Sequence, residues 1–358
     1  MYSAAIIGTG RIGNSYDDEI IERQPATYYQ GENRHTGLYV TQPVNHAEAY
    51  QTTPDFTLVA AANRGPEKLR AFGERRGIQA LYTDFRQLLR EEKPDVISVC
   101  TQSSEKAAIT VAAAEAGVKA IVVEKALATS MAEADAMLAA CATHNVLLVV
   151  NHPYRFSPLV RQAKRLVEQG AIGELTSVTV HAGGGMLHVG THTFDLMRYF
   201  AGDAVDLYAK APNYVPAQDL PADGMVTFAN GITGLFTHSH REPQSIEVRG
   251  NRGHITLSSM VGDGWLYQVV PTQPPDAKRQ YPERLTMQPI TPEVHTLSTT
   301  QRLLSELAHA LRTGAPFLST GRDGAAALEL GLACFASHLA GCAVGLPLQD
   351  RSLRVPNR

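Results

Sequence analysis

Ala4-Ala5-Ile6-Ile7-Gly8-Thr9-Gly10-Arg11-Ile12-Gly13 opens the chain, an apolar run feeding straight into Gly-x-Gly-x-x-Gly. A buried-type first strand followed by that spacing is what a dinucleotide fold needs at its first strand-to-helix turn. Gly8 permits the tight turn, Gly10 lets the backbone approach a pyrophosphate, and Gly13 lets the next helix pack close to the strand. Helix N-terminal N–H groups then face the anion, helped by the helix dipole. The stretch therefore places NAD(P) on Gly8, Thr9, Gly10, Arg11, Ile12 and Gly13.

Outward from that turn, residues 14–45 are polar, rich in turn residues and hold Tyr16, Tyr28, Tyr29, His35 and Tyr39. A helix resumes at His46-Ala-Glu-Ala-Tyr50, so 14–45 reads as an insertion at the cofactor end of the sheet. Long loops of this kind are functional or disordered. From Phe56 to Asn151 apolar strands alternate with helices, and their continuous Val/Ile runs predict a parallel sheet buried on both faces. Residues 1–150 thus form a doubly wound NAD(P)-binding domain, with ligands at the carboxyl edge of its strands.

The remainder, 151–358, changes character. A helix from Pro158 is followed by strands of period two, punctuated by Asn230-Gly231, Gly250-Asn251 and Arg252-Gly253, which predict hairpins and a largely antiparallel sheet. The expected fold class is α/β, a Rossmann sheet plus a second α/β domain. One face of such a sheet often pairs with another subunit, so a homo-oligomer is expected. Pro271 to Pro292 reads as loop, and two closing helices, near Thr299–Thr313 and Asp323–Gly341, complete the chain.

At 358 residues two domains are the default, and a formal charge of −3 gives no reason to propose nucleic acid or a membrane as partner. Cys100, Cys141, Cys334 and Cys342 form no Cys-x-x-Cys pair, which argues against a disulfide framework or zinc ribbon. With no secretory leader pattern at Met1 and no apolar run of spanning length, a cytoplasmic protein is expected.

Four groups of residues carry candidate chemistry. Strand two ends in Asn63-Arg64, where Asn63 would bond a ribose hydroxyl and Arg64 would stack on adenine or pair with a 2′-phosphate, a slight lean to NADP. Thr101-Gln102-Ser103-Ser104 follows strand four and would border the nicotinamide half, although helix capping alone would explain the serines. Glu124-Lys125 ends a strand too apolar to hold unpaired charges, so both are expected at the cofactor and substrate. A lysine beside oxidised nicotinamide has a lowered pKa and suits proton transfer or donation to a carbinol oxygen. Finally, His188 and His192 are spaced to share a helix face ahead of Asp195. An imidazole suits removal of a hydroxyl proton, and no further ligands suggest a metal, so none is expected.

The glycine fingerprint, the Glu124-Lys125 strand end and Gly190-x-His192-x-x-Asp195, in this order, resemble the Gfo/Idh/MocA family of sugar and cyclitol oxidoreductases. Asn151-His152-Pro153-Tyr154-Arg155-Phe156 is similar to that family's Asn-His-x-Arg-Arg-Phe. The resemblance implies hydride transfer between nicotinamide and a ring carbon of a sugar, glycoside or cyclitol. Lys125 and His192 then match catalytic positions, His188 assists, and Tyr154, Arg155, His188 and Asp195 would line the substrate pocket. Departures accompany it. Ala126 replaces the proline of Glu-Lys-Pro, which should loosen Lys125; His188 replaces an aspartate; and Thr101-Gln102-Ser103-Ser104-Glu105-Lys106 replaces Thr-Pro-Asn-x-x-His. Oxidation-initiated glycoside cleavage and a non-catalytic dinucleotide and sugar sensor are the alternatives.

Overall fold

The structure, a computed structural model, describes residues 1–18, 42–238, 244–258, 262–271, 283–292 and 296–356. Its first sheet has six parallel strands: β1 (Tyr2–Ile7), β2 (Phe56–Ala62), β3 (Ala80–Tyr82), β4 (Val96–Val99), β5 (Ala120–Glu124) and β6 (Leu147–Asn151). Their order is β3-β2-β1-β4-β5-β6. β1 pairs with β2 on one side and β4 on the other, so the order reverses there and opens the crevice where such sheets bind ligands. The runs Val96–Val99 and Ala120–Glu124 are buried throughout, which explains their lack of alternation.

Helices α1 (His46–Thr52), α2 (Pro66–Arg76), α3 (Phe85–Glu92), α4 (Ser103–Glu115) and α5 (Met131–Thr143) connect these strands. A π-helical turn, Arg11–Ser15, follows the glycine turn, and α1 restarts at Asn45, whose side chain accepts the Glu48 N–H. Asp17 joins the two ends of the expected insertion, its carboxylate accepting the N–H groups of Val44 and Asn45, each at 2.8 Å. Tyr28, Tyr29, His35 and Tyr39 lie outside the described residues.

The second sheet contains β7 (Leu175–His181), β8 (Ala204–Lys210), β9 (Asp223–Phe228), β10 (Thr233–Thr237) and β11 (Ser245–Gly250). It continues with β12 (Gly253–Ser258), β13 (Asp263–Pro271), β14 (Glu283–Pro289) and β15 (Val344–Gly345). The order is β14-β13-β12-β11-β7-β10-β9-β8-β15, antiparallel except where β7 and β10 run parallel. The expectation of loop over Pro271–Pro292 needs correction, because Glu283–Pro289 is the edge strand β14. Prolines at the ends of an edge strand interrupt no interior ladder, so composition alone misleads there.

Helix α6 (Pro158–Glu168) and helix α7 (Gly190–Ala201) flank the second sheet, while α8 (Thr299–Thr313) and α9 (Gly321–Ala340) return to the first domain. Leu303, Leu304, Leu307 and Ala308 of α8 join the core beneath Ala4, Ile6 and Val122. A capping box of Thr320 and Asp323 starts α9, whose Gly324 leaves no room for a Cβ against Val150 of β6. The two halves are therefore joined by shared core, and Lys125, just after β5, reaches the loop before α7. Among the described residues no helix is long and apolar enough to cross a membrane.

Candidate active site

The glycine turn is held from both sides. Gly8 N–H donates to Ala62 O and Cys100 N–H to Ile7 O, each at 2.8 Å. Gly8 adopts φ +101°, and a Cβ on Gly13 would lie 2.3 Å from Gly8 O, so only glycine fits either place. Gly10 differs, because a Cβ there meets nothing within 4 Å among the described residues. A half-buried glycine with that room would let a pyrophosphate approach the backbone closely. The Thr9 and Thr101 hydroxyls are buried with no partner among the described residues, donors waiting at the same edge. These residues fit a dinucleotide.

Around that turn, Arg11 lies over the Tyr16 ring at 5.2 Å, and half-buried Ile12 follows it. Gln102 precedes α4 without capping it through its side chain. Asn63 donates to Gly65 O at 3.2 Å. Arg64, with 82% of its side chain exposed, is paired with Glu105 of α4, so a 2′-phosphate would compete with a carboxylate already in place.

At the end of β5 the two charged residues part company. Glu124 turns inward, although the sequence places it at the cofactor: its carboxylate accepts from Asn151 Nδ2 at 2.7 Å and pairs with His46 Nε2 at 3.0 Å. Burial would raise that carboxyl, but the His46 hydrogen bond and charge outweigh it and hold it down at about 2. His46 is fully buried, and its other nitrogen meets Ser98 Oγ at 2.9 Å. Lys125 points the other way, across to the second domain, where Nζ donates to His188 O at 2.9 Å. Burial lowers its pKa against the pull of Glu124 and Asp219. Contrary to the expected loosening, Lys106 and Ser103 of α4 both donate to Ala126 O, at 2.7 and 3.2 Å, which ties the backbone after Lys125.

His188 and His192 share no helix face, since α7 begins at Gly190 and His188 stands in the turn before it. His188 is exposed, and the Lys125 charge, followed by burial and Arg11, pushes its imidazole down to about 4. His192 is half-buried, with Nδ1 unpartnered among the described residues and its ring edge-on to Tyr154 at 5.6 Å. Burial, then the charges of Lys125 and His152, hold it well below the ordinary imidazole value. Both rings are therefore neutral at pH 7 and within electrostatic reach of one lysine. The Tyr154 hydroxyl donates to Gln244 Oε1, and its ring packs edge-on against His192.

Asp219 completes this cluster and carries no motif in the sequence. Its carboxylate accepts the N–H groups of Leu187 and His188, each at 2.8 Å, fixing the carbonyl that Lys125 grips. Burial raises its pKa, while those N–H groups and Lys125 oppose the rise. Gly185 makes room, because a Cβ there would sit 2.4 Å from that carboxylate.

Arg155 and Asp195, expected in the substrate pocket, bind each other instead. Arg155 Nε reaches both Asp195 oxygens at 2.9 and 3.0 Å, Nη2 reaches Asp195 and Asp323, and Nη1 donates to Leu318 O at 2.7 Å. His152 Nδ1 adds a contact to Asp195 at 3.1 Å. Burial would raise the Asp195 carboxyl, but His152 and Arg155 outweigh it and lower it strongly. Every polar atom is satisfied inside the protein, so the pair anchors α7 to the turn that carries Tyr154. Among the described residues no three His, Cys, Asp or Glu side chains are grouped to hold a metal ion.

Residues 2–152 match the oxidoreductase-family model for an NAD-binding Rossmann fold, and residues 164–346 match the companion C-terminal alpha/beta domain. The chain belongs to the Gfo/Idh/MocA oxidoreductase family. Its relatives include D-apiose dehydrogenase of Paraburkholderia graminis, 28% identical over 60% of this chain and 64% of that protein. The myo-inositol 2-dehydrogenase of Thermotoga maritima is 25% identical over 59% of this chain and 70% of that protein. Against the first of these the match spans less than two thirds of the relative's length. In fold, the chain is similar to levoglucosan dehydrogenase solved with NADH and levoglucosan, with TM-score 0.76, 20% identity and coverage of 97% and 100%.

Proposed function

We propose that this Gfo/Idh/MocA protein is an NAD(P)-dependent dehydrogenase acting on a secondary alcohol of a polyhydroxylated ring, or on the matching ketone. What carries the reading is the reach of Lys125 from the first sheet to the His188 carbonyl, within electrostatic range of a His192 whose Nδ1 has no partner among the described residues. The dehydrogenase names of the apiose, levoglucosan and inositol relatives support a sugar or cyclitol substrate.

Gly8 to Gly13, with Thr9 and Thr101, would hold the dinucleotide, which when bound supplies the hydride acceptor. Lys125 leaves the His188 carbonyl to donate to the reacting oxygen and stabilise negative charge building there. His192, neutral at working pH, takes the hydroxyl proton as the carbonyl forms and returns it in the reverse direction. His188 bonds a neighbouring hydroxyl. Asp219 holds the turn that presents His188 and balances the lysine charge.

A use of NADP requires Arg64 to exchange Glu105 for the 2′-phosphate, and Arg64→Ala then weakens NADP alone. The open face of the second sheet exposes Met225, Leu235, Trp265, Leu285 and Met287, at 41, 46, 37, 60 and 58%, a row suited to pairing with a second copy. A screen of sugars, glycosides and inositols with NAD and NADP, following absorbance of the reduced nicotinamide, tests the reading. Reduction with one ring class supports it. Bond cleavage without net reduction, or binding without hydride transfer, would replace it with the glycosidase or sensor alternative.

A further inference from the structure

Lys106 is buried, 1% exposed, with no carboxylate in contact among the described residues, and burial pushes its amine down to about 7 against the pull of the Glu124 charge. Its three donors go to three consecutive carbonyls: Glu124 O, Lys125 O at 3.1 Å and Ala126 O at 2.7 Å. A buried cation is costly, and an apolar side chain would fill this place more cheaply if packing were its only duty. The carbonyls it grips lie on both sides of the Lys125 Cα, so it fixes the direction in which that side chain leaves the backbone.

Ser103, also in the first turn of α4, adds its hydroxyl to Ala126 O. Ala126 itself imposes no restriction on φ, whereas the family pattern has proline at this place. We propose that Lys106 is a positioning residue for Lys125, its ammonium replacing with hydrogen bonds the backbone restraint that Ala126 does not provide. Two departures that look independent in sequence, Lys106 and Ala126, are then one device.

The inference rests on the assignment of Lys125 to the reacting oxygen, so its first readout requires no turnover. Hydrogen exchange of residues 124–128 is measured in cofactor-free protein for the parent, Lys106→Met, Lys106→Gln and the double variant Lys106→Met with Ala126→Pro. Lys106→Met should raise exchange there about tenfold or more, a loosening of the segment against an intact first strand. Lys106→Gln, with two donors left, should fall between parent and Met, and serves if the Met variant does not fold.

With substrate, Lys106→Met should lower kcat about tenfold to a hundredfold, the scale set by misplacement of a reacting group. Cofactor Kd should stay within about twofold, and Ala126→Pro should recover most of the loss in both readouts. Unchanged exchange in Lys106→Met, or raised exchange with parental kcat, overturns the proposal. So does a loss that proline does not relieve and that follows Tm alone. Parental turnover in Lys125→Met would instead strike the functional reading, and with it the catalytic half of this inference.

Discussion

Replacing His46 by alanine tests how the buried side of the site is held. His46 is fully buried, pairs with Glu124 at 3.0 Å and meets Ser98 at 2.9 Å, and Ser98 in turn meets the Tyr50 hydroxyl at 2.8 Å. The variant keeps Asn151 on Glu124 but leaves the carboxylate without its charged partner. Breaking one side of a buried pair costs about 3–5 kcal/mol. At about 2–4 °C per kcal/mol for a domain of this size, the unfolding midpoint falls by about 6–20 °C.

The pH dependence has a definite sign. Glu124 is held below its ordinary value, so its contribution is present above about pH 4.3 and lost on acidification. His46 is raised, with burial opposing and the Cys100 and Glu124 contacts prevailing, so its contribution is complete below about pH 6.5 and lost as pH rises. The alanine penalty is therefore largest between about pH 4.5 and 6.5. Urea unfolding at pH 3.5, 5.5 and 8.5 measures it. A penalty below about 1 kcal/mol, or one equal at all three values, refutes the buried ion pair.

Other expectations follow from the same geometry. Gly10→Ala, with open space around its Cβ among the described residues, should leave Tm nearly unchanged while weakening NAD(P) binding; Gly13→Ala, 2.3 Å from Gly8 O, should lower Tm itself, and calorimetry with cofactor titration separates them. Lys125→Met removes the charge that depresses His188, so its imidazole should climb from about 4 towards about 6.5 in an NMR titration. Asp195→Asn strips the carboxylate from Arg155 and His152 and should destabilise by about 3–5 kcal/mol in urea unfolding.

Much of this architecture was legible in the chain because local chemistry and fold agree. The glycine turn sits where an apolar strand ends, and uninterrupted valine and isoleucine announce strands covered on both faces. Lys125 could be singled out since no buried strand end tolerates an unsatisfied charge. The inward partners of Glu124, Arg155 and Asp195 are not legible in sequence, for a carboxylate or guanidinium near a cleft satisfies itself equally well by turning to a partner distant in the chain. Lys106 stands on a helix where a lysine ordinarily reads as solvent-facing, and only the meeting of α4 with the β5 end makes it a buried clamp. Asp219 lies in a proline-flanked loop with no pattern at all, and nothing local indicates that its carboxylate caps the turn before α7. In sequence His46 reads only as the restart of a helix, whereas its partners Ser98 and Glu124 come from β4 and β5.

The central claim is that Lys125, presented across the junction of the two sheets, acts on the reacting oxygen. It is tested most directly by comparing Lys125→Met with the parent on the ring substrate found by screening, with cofactor Kd measured in parallel. A fall in kcat of about 10²–10⁴-fold with cofactor affinity retained is predicted; turnover at the parental rate would contradict it.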